Sequence, residues 1–156
     1  MKPTPAGWPR LSSSVFYEDA RAAIAWLGQA FGFELALCVD GEDGSVVHSQ
    51  LRFGEALIMV GEGGAQRPAK FGVTMRAPGA VGGANTQSLM LFVDDVDAHC
   101  ERARAAGATI VAEPALHDYG PEYWADRSYG AIDPGGHLWW FTQRVRNPAP
   151  SPSPSS

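Results

Sequence analysis

Residues 13–32 read SSVFYEDARAAIAWLGQAFG, and this stretch decides the fold because it joins a strand to a capped helix. Ser13–Tyr17 is rich in strand-forming residues and predicts a β-strand. Asp19 is placed to cap a helix over Ala20–Phe31, in which apolar residues recur every three or four positions: Ala20, Ala23, Ile24, Leu27 and Phe31. Gly32 follows where a helix commonly ends on a glycine. The stretch therefore predicts a β–α unit.

The same unit returns at residues 89–107, which read LMLFVDDVDAHCERARAAG. Leu89–Val93 predicts a strand, Asp95 caps, Val96–Ala106 predicts a helix, and Gly107 ends it. When Asp19 is aligned with Asp95, the two predicted strands also align, and the two predicted helices differ in length by one residue. The chain therefore contains an internal duplication.

Three further strands are predicted after each helix. In the first half they are Glu34–Val39, Ser45–Phe53 and Ala56–Val60, and in the second half Thr109–Ala112, Tyr129–Ile132 and Leu138–Thr142. The sequence Asp133-Pro134-Gly135-Gly136 predicts a tight turn before the last strand. Eight strands with only two helices favour an α+β fold of two tandem βαβββ modules, forming a cupped mixed sheet of about eight strands.

Composition sets the boundaries between these parts. We assign residues 10–62 to the first module, 63–84 to a Gly/Pro-rich linker, 85–145 to the second module and 146–156 to a flexible Pro/Ser tail. Phe71, Val73 and Met75 suggest a short strand within the linker. The 156 residues are enough to bury a substantial core.

Charge and cysteine content exclude several classes of protein. The formal charge of −5 argues against nucleic-acid binding, which requires clustered Lys and Arg. Cys38 and Cys100 do not form a C-x-x-C pattern, so neither a disulfide scaffold nor a zinc site is supported, and both thiols are expected to be reduced. No apolar run approaches the ~20 residues of a membrane span, and the N-terminus has no apolar signal core. The expected location is the cytoplasm, without membrane contact.

Three segments together resemble one family. Residues 17–34 resemble the opening of a first module, residues 93–108 the opening of a second, and Asp133-Pro134-Gly135-Gly136-His137-Leu138-Trp139 its closing hairpin. The family is the glyoxalase/bleomycin resistance protein/dioxygenase (vicinal oxygen chelate) superfamily, in its small bleomycin-resistance-like branch. The resemblance covers about residues 10–145. It implies paired βαβββ modules around a cleft, in a homodimer that often shares the cleft between modules or chains.

The resemblance also implies four metal-ligand positions, on the first and last strand of each module. Here they fall on Ser12, Met59, Ser88 and Trp140. Serine is a poor ligand, a thioether is soft, and an indole offers no acceptor. A shift of one residue replaces Ser88 by Gln87, which does not make a metal site by itself. A 2-His-1-carboxylate triad is missing too, so no metal, no other cofactor and no catalytic residue is expected.

Strand alternation predicts what lines the cleft instead. His48, Gln50 and Arg52 share one face of their strand, while Val47, Ser49 and Leu51 share the face expected to be packed. The loop over residues 113–127 carries aromatic residues that suggest a lid or a dimer contact. The candidate ligand-binding residues are His48, Gln50, Arg52, Met59, Met90, Phe92, Tyr123, Trp124 and Trp140.

Each candidate also has a structural interpretation. His48 is compatible with a half-exposed strand histidine, and Arg52 with an ion pair to Glu55 rather than an anionic ligand. Met90 and Trp140 are compatible with filling the space of a metal site, and Trp124 with packing under its own loop. His99 and His117 are expected in solvent.

Three functions remain open. The leading hypothesis is a metal-free protein that sequesters a small aromatic or cationic, drug-like ligand. The first alternative is a metal-dependent glyoxalase-type lyase or isomerase whose ligands, for example His48 with Gln50, are not those of the family. The second is a non-catalytic dimer that acts through a protein partner.

Overall fold

The computed structural model describes residues 1–64, 69 and 71–149. Positions 65–68 and 70 of the expected linker, and positions 150–156 of the expected tail, lie outside these residues. The elements are β1 (Ser13–Tyr17), α1 (Ala20–Phe31), β2 (Glu34–Asp40), β3 (Val46–Phe53), β4 (Ala56–Glu62), a 3-10 helix (Pro78–Val81), β5 (Leu89–Phe92), α2 (Val96–Ala105), β6 (Thr109–Asp118), β7 (Ala125–Ile132) and β8 (Leu138–Arg146).

The eight strands form two four-stranded mixed sheets, one in each βαβββ module. The strand order is β1-β4-β3-β2 in the first sheet and β5-β8-β7-β6 in the second. Strands β1 and β4 pair in parallel, as do β5 and β8, and the other pairs are antiparallel. The predicted α+β fold of tandem modules is confirmed.

Both helices begin where the sequence predicts. Asp19 accepts a hydrogen bond of 2.9 Å from the backbone N–H of Ala22, and Asp95 accepts one of 3.0 Å from Ala98. These bonds satisfy amide donors that have no partner within the first helical turn. Gly32 ends α1 at a φ of 85°, a left-handed conformation that glycine adopts without a steric penalty.

The two modules share one hydrophobic core, built from the helices and the helix-facing side of each sheet. Phe31 at the end of α1 lies with its ring centroid 5.4 Å from Trp139 and 4.7 Å from Phe141, both on β8 of the other module. The indole of Trp26 donates a 2.8 Å hydrogen bond to the carbonyl of Ala106. Because the helix-facing sides meet in this core, the opposite side of each sheet points away from it; we call these the open faces.

Strands β6, β7 and β8 are longer than predicted. The extension pairs Asp118 with Ala125 and Ala125 with Arg146, so the predicted loop of residues 113–127 is a hairpin whose loop is only residues 119–124. Pro114 and the register shifts around it break the alternation of β6, which explains why the sequence suggested a strand end at Ala112.

A register irregularity also changes the packed face of β3. Val39 pairs with His48 but Asp40 pairs with Val46, so Val47 is left over as an extra residue. Val46 is buried as a result, whereas Val47 is 57% exposed. The prediction that Val47 packs with Ser49 and Leu51 was wrong. Val47 is the extra residue of a β-bulge, so the alternation of buried and exposed side chains that holds from Ser49 onward does not extend back to Val47.

The linker contains no strand in its described part. Val73 forms an isolated bridge, and the ordered element is the 3-10 helix. Asn85, directly after the linker, holds it against the turn before β8. The side-chain amide of Asn85 donates a 2.9 Å hydrogen bond to the carbonyl of Gly136, and its oxygen accepts one of 3.0 Å from the N–H of Leu138. Both cysteines are free thiols. Among the described residues, no helix has the length and apolar character needed to cross a membrane.

Candidate functional site

Four of the predicted site residues lie on the open face of the first sheet. Met59 belongs to this face because its neighbours Ile58 and Val60 are buried in the shared core. On β3, the amide nitrogen of Gln50 lies 3.0 Å from Nε2 of His48, so these two side chains form one polar unit. This contact occupies Nε2, one of the two ring nitrogens of His48.

Arg52, on the same face, does not pair with Glu55. Its guanidinium instead approaches the N-terminal segment, where a Cβ at Gly7 would be 3.2 Å from Nη2. Within the described residues Arg52 forms no ion pair. The predicted Arg52–Glu55 pair is therefore absent, and the charge is left at the surface of this face.

Three other candidates lie on the open face of the second sheet. Met90 pairs directly with Trp140, and Phe92 follows two residues further along β5. Met90 and Phe92 are each about half exposed, so they do not fill a core. The ring of Trp140 lies over Gly130 of β7, where an added Cβ would approach it to 3.0 Å. A glycine here gives the indole room to lie flat on the sheet.

The aromatic hairpin loop adds Trp124 and Tyr123 to this second group. Their rings meet edge to face at 6.2 Å, and Tyr119 lies 5.7 Å from Trp124. Trp124 is 38% exposed. The indole therefore packs partly against its own loop, through Tyr119 and Tyr123, while a cation from β8 also contacts it.

That cation is Arg144, which is not among the nine residues predicted from the sequence. Its guanidinium carbon lies 5.4 Å from the ring centroid of Phe92 and 5.5 Å from that of Trp124. Its Nε donates a 2.5 Å hydrogen bond to the buried carboxylate of Asp126. Side chains alternate between the two faces of β8, so Arg144 lies on the same face as Trp140 if the strand extends to Arg146. The predicted strand ended at Thr142, and Arg144 was therefore missed.

The two groups of candidates do not meet within one chain. Among the described residues, no hydrogen bond, ion pair or ring contact joins the first-sheet group to the second-sheet group, since each occupies an open face turned away from the shared core. A cavity of ≈ 410 Å³ lies between α1, the 3-10 helix and the 133–136 turn, and its lining contains none of the nine candidates.

Both open faces expose several apolar side chains. Leu37 and Val39 continue the first face beside Gln50 and His48, with which they pair. Each is more than 40% exposed, as are Met90 and Phe92 on the second face. Apolar surface concentrated on two sheet faces is typical of an interaction site.

The side chains at the four positions that the resemblance assigns to metal ligands do not fit a metal. Ser12 precedes β1, and Ser14 is the residue that pairs with Met59. Ser12 has a buried hydroxyl without a hydrogen-bond partner, but neutral hydroxyls, a thioether and an indole N–H do not form a site for a divalent cation. In the described part of the chain, no three His, Cys, Asp or Glu side chains are grouped to bind one.

His99 is a structural residue rather than a solvated one. Its Nδ1 lies 2.7 Å from the hydroxyl of Tyr129, and its Nε2 lies 2.9 Å from the carbonyl of Phe31. Burial lowers its pKa, and the charge of Arg102 acts in the same direction, against the bond to Phe31. The prediction failed because α2 faces the other module, which a single helix pattern does not reveal.

A protein-family model matches most of the chain. The glyoxalase/bleomycin resistance protein/dioxygenase superfamily matches residues 11–141, which include every element from β1 to the middle of β8. An uncharacterized protein of Mycobacterium bovis, Mb0911c, is 37% identical over 139 residues, which are 88% of this chain and 85% of that protein.

Solved structures show the same fold. TioX from Micromonospora sp. ML1 is 32% identical, with a TM-score of 0.61 over 86% of this chain and 95% of TioX. The fosfomycin resistance protein FosX from Listeria monocytogenes, in a mutant form with Mn(II) and a dihydroxypropylphosphonic acid, is 16% identical. Its TM-score is 0.53 over 83% of this chain and 85% of FosX, which shows likeness of fold alone.

Proposed function

Because this chain belongs to the glyoxalase/bleomycin resistance protein/dioxygenase superfamily, we propose that it uses the family's cleft to bind a small molecule without a metal. The observation that carries the proposal is the chemistry of the four metal positions: Ser12, Met59, Ser88 and Trp140 supply no anionic or imidazole ligand. The same region presents thioether and aromatic side chains, which bind apolar and aromatic groups.

The proposed ligand is aromatic or cationic and drug-like. Met90, Phe92, Trp124 and Trp140 offer an apolar, aromatic surface, and the chain carries a net charge of −5. A concave site with mostly apolar walls and a few polar groups is typical of small-molecule binding. Sequestration, with no bond made or broken, requires nothing more, and it would protect a cell from an antibiotic of this type.

A complete cleft in this proposal requires a second copy of the chain. Each open face carries only one group of candidates, and both faces expose apolar side chains. A homodimer that sets the first face of one copy against the second face of its partner would bring His48, Gln50 and Met59 near the other copy's aromatic group and remove this surface from water. Two free cysteines agree with a reducing, cytoplasmic location.

The experiment is a calorimetric titration of the purified protein with a panel of flat aromatic and cationic antibiotics, including a bleomycin. We expect at least one compound to bind with a Kd in the micromolar range or tighter, at one or two sites per dimer. The Trp140→Leu variant should weaken that binding at least tenfold, because it removes the ring that lies on Gly130.

The matched control is Trp8→Leu, which removes a tryptophan outside the candidate group and should leave affinity unchanged. Equal loss in both variants, or no binding across the panel, would contradict the proposal.

A further inference from the structure

We propose that the space between Phe92 and Trp124, now filled by the side chain of Arg144, is a subsite for a planar cation of the ligand. The inference rests on the proposed ligand-binding role of the second open face, and it names the chemical group that this face recognises. The guanidinium of Arg144 is a stand-in: it shows which chemistry the surrounding residues accept.

Two aromatic rings form the sides of the subsite. The guanidinium carbon lies 5.4 Å from the ring centroid of Phe92 and 5.5 Å from that of Trp124. Distances below about 6 Å place a cation within the attractive field of a ring face. Phe92 comes from β5 and Trp124 from the hairpin loop, so two elements that are distant in sequence converge on one cation.

A carboxylate forms the end of the subsite. Asp126 is only 9% exposed and accepts a 2.5 Å hydrogen bond from Nε of Arg144. A buried carboxylate requires a cationic partner that donates hydrogen bonds. Two rings and one carboxylate thus select a flat cation with N–H groups at its edge, which describes an amidinium, a guanidinium or a protonated aminoheterocycle.

The position of the subsite links it to the cleft. Trp140, Thr142 and Arg144 alternate along one side of β8, so the subsite continues the face that carries Trp140 and Met90. Arg144 is exposed at the solvent end of this row, and its Nη1 donates one further hydrogen bond, of 3.3 Å, to the side-chain oxygen of Asn147. Its side chain is long and flexible, so a ligand cation can take its place and release it to water.

The test uses benzamidinium as the planar cation and benzamide as a neutral molecule of the same shape. In the wild-type protein, Arg144 competes for the subsite. In Arg144→Ala the subsite is open, so we expect benzamidinium to bind this variant at least tenfold more tightly than wild type, and at least tenfold more tightly than benzamide, by calorimetry. Adding Asp126→Asn to the variant should remove the preference for the cation.

The control is Arg146→Ala. Arg146 belongs to the same strand and donates hydrogen bonds to Asp118 and the carbonyl of Gly120 in the same hairpin. Among the described residues, the cation–π contacts with Phe92 and Trp124 come from Arg144 and not from Arg146. It should not create a benzamidinium site. If Arg144→Ala binds benzamidinium no better than wild type, or binds benzamide equally well, Arg144 is a structural clamp and the proposal is overturned.

A second measurement covers the case in which Arg144→Ala disturbs the hairpin, as its near-ultraviolet circular dichroism would show. Wild-type protein with 15N-labelled arginine is titrated with benzamidinium. A shift of the Arg144 Nε–H resonance without a shift at Arg146 supports displacement, and no shift at either overturns it. If the wild-type protein binds no compound of the panel, the proposed function fails. That result is distinguishable from failure of the subsite, because benzamidinium binding to Arg144→Ala tests the open subsite directly.

Discussion

The hydroxyl of Tyr17, in the first module, donates a 2.6 Å hydrogen bond to the carboxylate of Asp133, in the closing turn of the second module. The same carboxylate accepts from the indole of Trp139 at 2.8 Å and from the backbone N–H groups of Gly135 and His137. Burial alone would raise the pKa of Asp133, but the bonds from His137, Tyr17 and Trp139 outweigh it and the pKa lies below its usual value. The buried carboxylate of Asp133 thus accepts hydrogen bonds from both modules.

Removing the Tyr17 hydroxyl should therefore destabilise the whole chain. We expect Tyr17→Phe to lower the free energy of unfolding by about 1.5–3 kcal/mol, the range for hydrogen bonds to charged groups, in urea denaturation. Tyr119→Phe changes an exposed tyrosine and should stay within about 0.5 kcal/mol of wild type. Equal effects in the two variants would show that the bond between modules contributes little.

Stability should fall at mildly acidic pH because of His99. Its pKa is lowered in the folded state, so the unfolded chain binds a proton more readily than the folded chain. The stabilisation is present above the unfolded-state pKa of about 6.5 and is lost as pH falls from there towards the lower folded-state pKa. Protonation also makes Nδ1 a donor, so it can no longer accept from Tyr129.

Unfolding temperatures measured from pH 8 to pH 5 test this dependence. His99→Gln should flatten the slope below pH 6.5, whereas His117→Gln, at an exposed position, should leave the wild-type slope. A slope that survives in His99→Gln assigns the effect to another group.

A charge on the first open face should prevent dimer formation without unfolding the chain. Val39 is 43% exposed in the single chain, so Val39→Glu puts its carboxylate in water there but buries it in the proposed dimer. Light scattering after gel filtration should give a dimer for wild type and a monomer for the variant. Ala25→Glu, on the exposed side of α1, is the control and should remain a dimer. A wild-type monomer would contradict the dimer directly.

Metal removal should not affect ligand binding. After incubation with Zn, Ni, Mn or Fe and desalting, we expect less than about a tenth of an equivalent of metal per chain, because the four positions offer no suitable ligands. Affinity for the panel compound should be the same with and without a chelator. One equivalent of bound metal, with activity or binding lost on chelation, would instead favour a metal-dependent lyase that uses other residues.

Local patterns predicted the elements well. The caps at Asp19 and Asp95 and the glycine at Gly32 act through bonds and backbone angles within one helical turn, so the sequence contains all the information they need. The ends of β6 and β8 were missed because strand length depends on the partner strand. If the pairing of Arg146 with Ala125 is not known, Pro114 interrupts the strand pattern and residues 113–118 resemble a loop.

The sequence by itself determined the duplication, the α+β class and the residue types at the four positions that the family resemblance assigns to metal ligands, since each follows from residue identity and from spacing along the chain. Only the tertiary structure decided which surfaces meet. It brought the hydroxyl of Tyr17 to Asp133, held the half-buried His99 against the carbonyl of Phe31 in the other module, and placed Arg144 against Phe92 and Trp124. These contacts join residues up to 116 positions apart, and their free energy depends on how two modules pack, which no local pattern encodes.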